Sequence, residues 1–390
     1  VPSVWLDQKT SFGAFSEKLD YWRDPLLMAE LADEANENAG IDPIYIGKKD
    51  ANGTYYPSRV DIASGAWPYY TEWADYVFRP TAITSETNLG VQGGGDKSQY
   101  YLGLGYYDGE GMQRKDDYKK VTLDLSYQHE LSEYLTIISK AGFIDGDRNR
   151  NYGMNYQRNP LFPVFNGDGT YFKANALDYG NALAMTNERK DVSPNTDGYA
   201  TLQFNVKLAN PLELVLRGNA RAGTAGHNFY NPRVYTQGGD LYDGEGGISS
   251  SSYKNVTLDG YLTYTNTFAE RHAFTAMGGV TYENGTNKTL NTIGRGFAND
   301  NLMEENMSGA TERFITNGFS ETVLASGFTR FNYAFADKYL FTFTARADGS
   351  SKFGDNNKWG FFPSGAASWR LSEEAFLKDV EAIDDLKIRA

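Results

Sequence analysis

Side chains able to do covalent chemistry are few in this chain and poorly spaced for it. There are three histidines, His129, His227 and His272, and no cysteine. The absence of cysteine rules out thiol catalysis, thiolate metal sites and disulfides. The histidines stand far apart, without metal-ligand spacing or a readable nucleophile–histidine–acid set. "GGGDKS" (93–98) resembles a phosphate loop but misses the GxxxxGK[ST] spacing and reads as a hairpin turn. "FIDGDRNR" (143–150), "FNGDGTY" (165–171) and "GGDLYDGEGG" (238–247) bunch acids with glycine. A calcium loop needs six or more oxygens in a fixed order, which none of them supplies, so they read as solvated turns. No catalytic residue, metal or cofactor is expected. Recognition chemistry is better represented. "NYGMNYQRNPLFPVFNG" (151–167) and "HNFYNPRVYTQGG" (227–239) interleave aromatic, amide and guanidinium groups. Their candidate contact residues are Tyr152, Asn155, Tyr156, Arg158, Tyr230, Asn231, Arg233 and Tyr235. Flat rings stack on apolar sugar faces, while Asn and Arg hydrogen-bond to hydroxyls or carbonyls; a peptide backbone would engage the same groups. The competing role for these side chains is packing the loops together or meeting another protein.

The elements that must carry these loops are strands. From residue 87 onward the dominant period is two. In "VTLDLSYQH" (121–129), Val121, Leu123, Leu125 and Tyr127 oppose Thr122, Asp124, Ser126 and Gln128. "ATLQFNVKL" (200–208), "NVTLDGYLTY" (255–264) and "YLFTFTARA" (339–347) repeat the pattern, and about eleven strands are expected in all. Residues 1–84 read differently, as a segment leading into the strands. Within it "DPLLMAELADEANENAG" (24–40) predicts a short helix, with Asp24 as N-cap, Pro25 in the first turn and Gly40 at the C-terminal end.

Tight links ("GGGDK", "LSE", "NPL", "AER", "ADK") alternate with longer connections, the longest near 144–198, 222–254 and 283–322. In an up-and-down sheet this puts every short link at one end, the asymmetry of outer-membrane barrels. A ten-residue strand tilted near 45° covers roughly 23 Å, close to the apolar band of such barrels. Asp124, Gln203, Asn205, Lys207, Asp259, Arg330 and Arg346 share the polar faces. Tyr127, Tyr134, Phe268, Phe335 and Tyr339 cluster at short turns, as an interfacial girdle would. Mean hydropathy is −0.55 and no apolar run is long enough for a membrane helix, which leaves a barrel open. The net charge of −13 argues against a nucleic-acid partner. The expected fold is all-β: a transmembrane antiparallel up-and-down β-barrel over residues 85–390, incomplete because "DLKIRA" begins a fresh alternation and stops. The alternative is a secreted or surface-exposed β-rich glycan-binding protein or adhesin. A barrel hydrolase ranks last, for want of a nucleophile set.

Two stretches, together with the helix-like 24–40, carry a family resemblance. One runs through Arg346, Asp348, Gly349, Ser350, Ser351, Phe353 and Gly354, then Trp359, Gly360 and Pro363, then Trp369 and Arg370. The other is "WADYVFRP" (73–80), with Trp73, Phe78 and Arg79, leading to "NLGVQGGGDKSQYYLGLGYYDGEGM" (88–112). Together they resemble the central part of a SusC/RagA-type TonB-dependent transporter of the Bacteroidetes outer membrane. The resemblance implies a plugged barrel of about 22 strands. It also implies a SusD-like surface lipoprotein as partner, and a TonB complex engaged through N-terminal parts not found here. The cargo it implies is oligosaccharide or peptide, imported actively across the bacterial outer membrane. No TonB box, plug or final strand is found in this sequence. In the first stretch Tyr339, Phe341, Phe343, Trp359, Phe361 and Trp369 are expected to face lipid, and Thr342, Thr344, Arg346, Ser364 and Ser368 the lumen.

Overall fold

The computed structural model describes residues 24–51, 53–151, 159–173, 181–234, 241–354, 356–377 and 382–390. Twelve strands form one antiparallel sheet in which each pairs with its neighbours in sequence. They are β1 Thr84–Gly94, β2 Ser98–Glu110, β3 Asp117–Ser132, β4 Leu135–Asn149, β5 Lys190–Ala209 and β6 Leu212–Asn231. β7 Glu245–Phe268, β8 His272–Phe297, β9 Ala310–Phe335, β10 Tyr339–Ser350, β11 Trp359–Arg370 and β12 Lys387–Arg389 complete it. The up-and-down order with all tight links at one end is thus present. β1 is the strand that the hairpin turn at 93–98 implied, though "TSETNLGVQGG" carries only Leu89 and Val91 as large apolar residues. Its ladder with β2, Leu89 opposite Leu104 and Val91 opposite Leu102, makes it a strand.

The register sorts the side chains into two faces. Tyr339 lies opposite Trp369, Phe341 opposite Ala367, Phe343 opposite Gly365 and Ala347 opposite Phe361. Across the other edge of β10, Phe331 meets Phe343 and Tyr333 meets Phe341. The rings form a stacked ladder from Phe335 through Tyr339 to Trp369, with centroids 6.2 and 6.3 Å apart. The same face continues through Val280, Leu258, Leu216, Leu202, Leu125 and Leu104, all exposed. A sheet-wide exposed apolar face is what lipid covers. On the opposite face stand Asp124, Gln203, Asn205, Lys207, Asp259, Arg330 and Arg346, as the alternation required.

The outer connections are shorter than the sequence suggested. Residues 144–198, 222–254 and 283–322 were expected as loops. The strands instead run on to Asn149, Asn231 and Phe297 and restart at Lys190, Glu245 and Ala310. β8 and β9 have 26 residues each, roughly 60 Å along the membrane normal at a 45° tilt, against an apolar band of about 25 Å. Regular apolar alternation fades in these outer stretches, while the backbone ladder continues through them.

Before β1, α1 (Pro25–Asn38) starts as expected: the Asp24 carboxylate accepts from the amides of Leu26 and Leu27. It ends at Ala39, with Gly40 at φ +72. Short helices α2 (Arg59–Ala63) and α3 (Trp73–Val77) follow, and α4 (Ala182–Glu188) lies in the β4–β5 connection. Met28, Ala29, Tyr45 and Tyr56 of this leading segment pack against Leu161 and Phe162 of that connection. The segment therefore sits at the long-loop end, folded together with an outer loop.

Candidate functional site

Midway along β5–β8 the polar face is a hydrogen-bonded ladder. Arg217 donates through Nε and Nη2 to Asp259 Oδ2 at 2.9 and 2.7 Å, and Thr281 donates to Asp259 Oδ1 at 2.9 Å. Arg221 donates to both Asp197 oxygens at 3.2 and 3.0 Å, and the Tyr253 hydroxyl donates to Asp197 as well. Asn219 donates to Thr201 at 2.7 Å. Half-exposed ion pairs of this kind add little stability. They fix the orientation of charges on a wet wall.

Farther out, the same face turns aromatic. Arg295 of β8 lies 3.6 Å over the Tyr242 ring and 5.4 Å from that of Phe314, while Nε and Nη2 each donate to Glu245 at 2.9 Å. His227 of β6 stacks on Phe229 at 5.6 Å and meets the Asp191 carboxylate at 3.0 Å. Ser249 donates to Asn291 at 2.6 Å. Phe229, Asn231, Glu245, Arg295 and Phe314 share the polar face by register. Rings, amides, hydroxyls and paired charges thus line the outer end of the wall, a set suited to sugar or peptide. Sequence reasoning missed Tyr242, Arg295 and Phe314. All three lie in stretches read as loop, 222–254 and 283–322, where no strand period was sought.

Of the eight residues proposed from sequence, Tyr152, Asn155, Tyr156, Arg158 and Tyr235 lie outside the described residues. Asn231 stands on the polar face opposite Glu245. Tyr230 has no exposed surface: its ring packs edge-on against Phe297 at 5.2 Å and its hydroxyl donates to Asp300 at 2.7 Å. The Arg233 amide donates to the same Asp300 oxygen at 3.2 Å. These two tie down the 298–309 connection.

The signature residues are structural clamps. The Trp73 indole donates to the Asn159 carbonyl at 3.0 Å. Phe78 bridges to Gln113. Arg79 donates to the Gly111 carbonyl at 2.7 Å and to Asp117 at 2.8 Å, locking the β2–β3 loop. Arg346 donates to Asp348 at 2.6 Å. A Cβ on Gly349 would lie 2.8 Å from the Trp359 indole, so only glycine lets that ring close over β10. The Ser350 and Ser351 amides donate to Lys358 and Val323, both at 2.9 Å. Phe353 is exposed, the Gly354 carbonyl accepts from Asn357 at 2.9 Å, Gly360 pairs with Asp348 and Pro363 with Ala345. The Arg370 amide donates to the Lys338 carbonyl at 2.8 Å. Beyond β11, Glu374 accepts from the Tyr339 hydroxyl at 2.8 Å, the Trp369 indole at 3.1 Å and Lys338 at 3.3 Å. Those donors, the tyrosine first, hold its carboxyl below the ordinary glutamate range.

No family model matches the chain. Curated proteins do. TonB-dependent receptor P3 of Formosa agariphila is 29% identical over 350 residues, covering 83% of this chain and 34% of the relative. TonB-dependent receptor SusC of Bacteroides thetaiotaomicron is 27% identical over 353 residues, covering 82% and 34%. The chain thus spans about a third of the length of the curated relatives it matches. Among solved structures, the RagAB peptide transporter superposes with a TM-score of 0.68 at 20% identity, over 83% of this chain and 38% of that one. The open-open state of RagAB gives 0.67 over 83% and 37%. At that identity the likeness speaks for the fold. In its alternating faces and in these curated relatives the chain is similar to a portion of the barrel of SusC-like TonB-dependent receptors of the bacterial outer membrane, and its fold is that of the RagAB barrel.

Proposed function

We propose that the chain forms wall and outer mouth of a TonB-dependent importer of oligosaccharides or peptides, working with a SusD-like surface lipoprotein. The observation that carries this reading is the opposition of the two faces. One is exposed and apolar across the sheet; the other bears the Arg217–Asp259 and Arg221–Asp197 pairs and, farther out, Arg295 between Tyr242 and Phe314. A wall built this way separates lipid from a polar passage. Tyr242, Arg295, Phe314 and Asn231 are the residues proposed to touch cargo, together with Tyr152, Asn155, Tyr156, Arg158 and Tyr235. The curated relatives are receptors by name, which agrees with a transport role in place of catalysis. In the full-length protein, uptake of the cargo is expected to stop when TonB is deleted and to return on complementation. Uptake unchanged without TonB would sink the reading.

A further inference from the structure

The lipid-facing side of the wall is uneven. Val280 of β8 lies beside Gly260 of β7 and Gly327 of β9, and Gly327 lies beside Ala347 of β10. These small residues floor a groove of about 610 Å³, walled by Leu258, Tyr282 and Trp359. The Trp359 indole closes over Gly349, whereas a Cβ on Gly327 would meet nothing within 4 Å. Counted from the short turns at His272 and Trp369, Tyr282 and Trp359 stand roughly 24 Å up the membrane normal at a 45° tilt, the top of the apolar band. The groove therefore lies at the depth of the outer leaflet. Its strands, β6 to β11, each pair with a neighbour on both sides, so it is complete as it stands. Above it the same face turns polar along one line. β8 carries Asn284, Thr286 and Lys288 outward, with Lys254 of β7 and Glu321 of β9 opposite Thr286, and Phe319 opposite Lys288. Both lysines are exposed. Lys288 lies 5.9 Å over the Phe319 ring, and among the described residues neither lysine meets a carboxylate. Glu321, the acid of this line, accepts from Asn284 at 2.9 Å. The line thus carries net positive charge in a chain of net charge −13.

We propose that the groove and the line above it bind one phosphorylated glycolipid of the outer leaflet, with an acyl chain in the groove and a headgroup phosphate at Lys254 and Lys288, whatever the receptor imports. Three observations select that occupant. The first is polarity. The groove is apolar and opens onto lipid, so hydrocarbon fills it. The second is charge. Two lysines without carboxylate partners face the leaflet and complement an anionic headgroup. The third is height. Lys254 and Lys288 stand roughly 34 and 38 Å up the normal from their own turns, about 10 and 14 Å above the level of Tyr282. The headgroup layer of a simple phospholipid bilayer adds only about 5–8 Å on each side. Lys288 is held at its own level by the Phe319 ring, above the reach of a phospholipid phosphate. A phosphate carried on sugars reaches it, and Asn284, Thr286 and Glu321 offer the sugar hydroxyls donors and acceptors between groove and lysines.

Native mass spectrometry of the delipidated full-length receptor tests this, by titration with diphosphorylated lipid A and, separately, with phosphatidylglycerol. Lipid A is expected to bind more tightly than phosphatidylglycerol. Replacing both lysines, Lys254→Gln with Lys288→Gln, is expected to weaken lipid A binding about 30-fold. Gly327→Leu fills the groove without a clash and is expected to weaken it about tenfold. Lys119→Gln is the control: it lies on the same face, but its ammonium is already 3.3 Å from Asp108, so affinity should not change. Heat-modifiable migration in gels is expected to be the same for all these variants, as their side chains lie outside any packed core. Equal affinity for the two lipids would mean a plain phospholipid site and overturns the proposal. So does lipid A binding that survives either the lysine pair or Gly327→Leu, and so does a loss in Lys119→Gln as large as that of the pair.

Discussion

At Asp300 and at Arg295, two aromatic–polar contacts of the outer rim do different work. Asp300 receives the Tyr230 hydroxyl inside a packed cluster with Phe297. Arg295 lies between Tyr242 and the half-exposed Phe314 on the polar face. Tyr230→Phe leaves Asp300 short of one hydrogen bond and is expected to cost about 1–2 kcal/mol locally. Limited proteolysis should find the 298–309 connection cut faster, with cargo affinity unchanged. Arg295→Ala is expected to do the reverse: cargo binding by calorimetry weaker by about tenfold, proteolysis unchanged. If both variants changed only proteolysis, Arg295 would be a clamp like Tyr230. Composition marked these stretches as rich in recognition groups, but it does not say which side chain is buried. That follows from which neighbour closes over it, and Phe297 and Ala310 close over Tyr230 from strands far along the chain.

Among elements, the β10–β11 hairpin shows how a short turn is secured. Its two strands stack Tyr339 on Trp369, and the segment after β11 returns Glu374 beneath both. Glu374 titrates below its ordinary value of 4.5 because these donors favour the carboxylate. A depressed folded-state pKa gives stability that is present above the unfolded value and lost as pH falls through the folded one. The clamp is therefore expected to hold at neutral pH and to open only as the pH falls below that ordinary value. Trp369 fluorescence in the folded barrel should change across that range, and Glu374→Gln should abolish the transition. A transition of the same size in Glu374→Gln would place its origin elsewhere. The alternation over 339–347 was enough to read this hairpin's two faces. Glu374 was not legible as a partner, because a loop carboxylate has no period to betray it.

For the whole molecule, the two-faced wall makes a directional prediction about charge. Val280 and Thr281 are neighbours on β8, Val280 on the exposed apolar face and Thr281 beside Asp259 on the polar one. Val280→Arg is expected to destabilise the barrel by about 2–4 kcal/mol, and Thr281→Arg by far less. Urea unfolding in lipid vesicles measures both, and equal losses would contradict the assignment of faces. That assignment was available from sequence, since a period of two fixes which residues share a face and short links fix which strand ends lie together. So was the family resemblance, through spacings around Trp359 and Arg79 that proved to be backbone clamps. The heights of the strands were not available. Above the lipid a strand needs no apolar face, so hydrogen bonding between neighbours, a property of pairs of segments, decides where it stops. For the same reason only the tertiary structure could join the leading segment to the 159–172 loop and carry β9 outward beyond the end of β10.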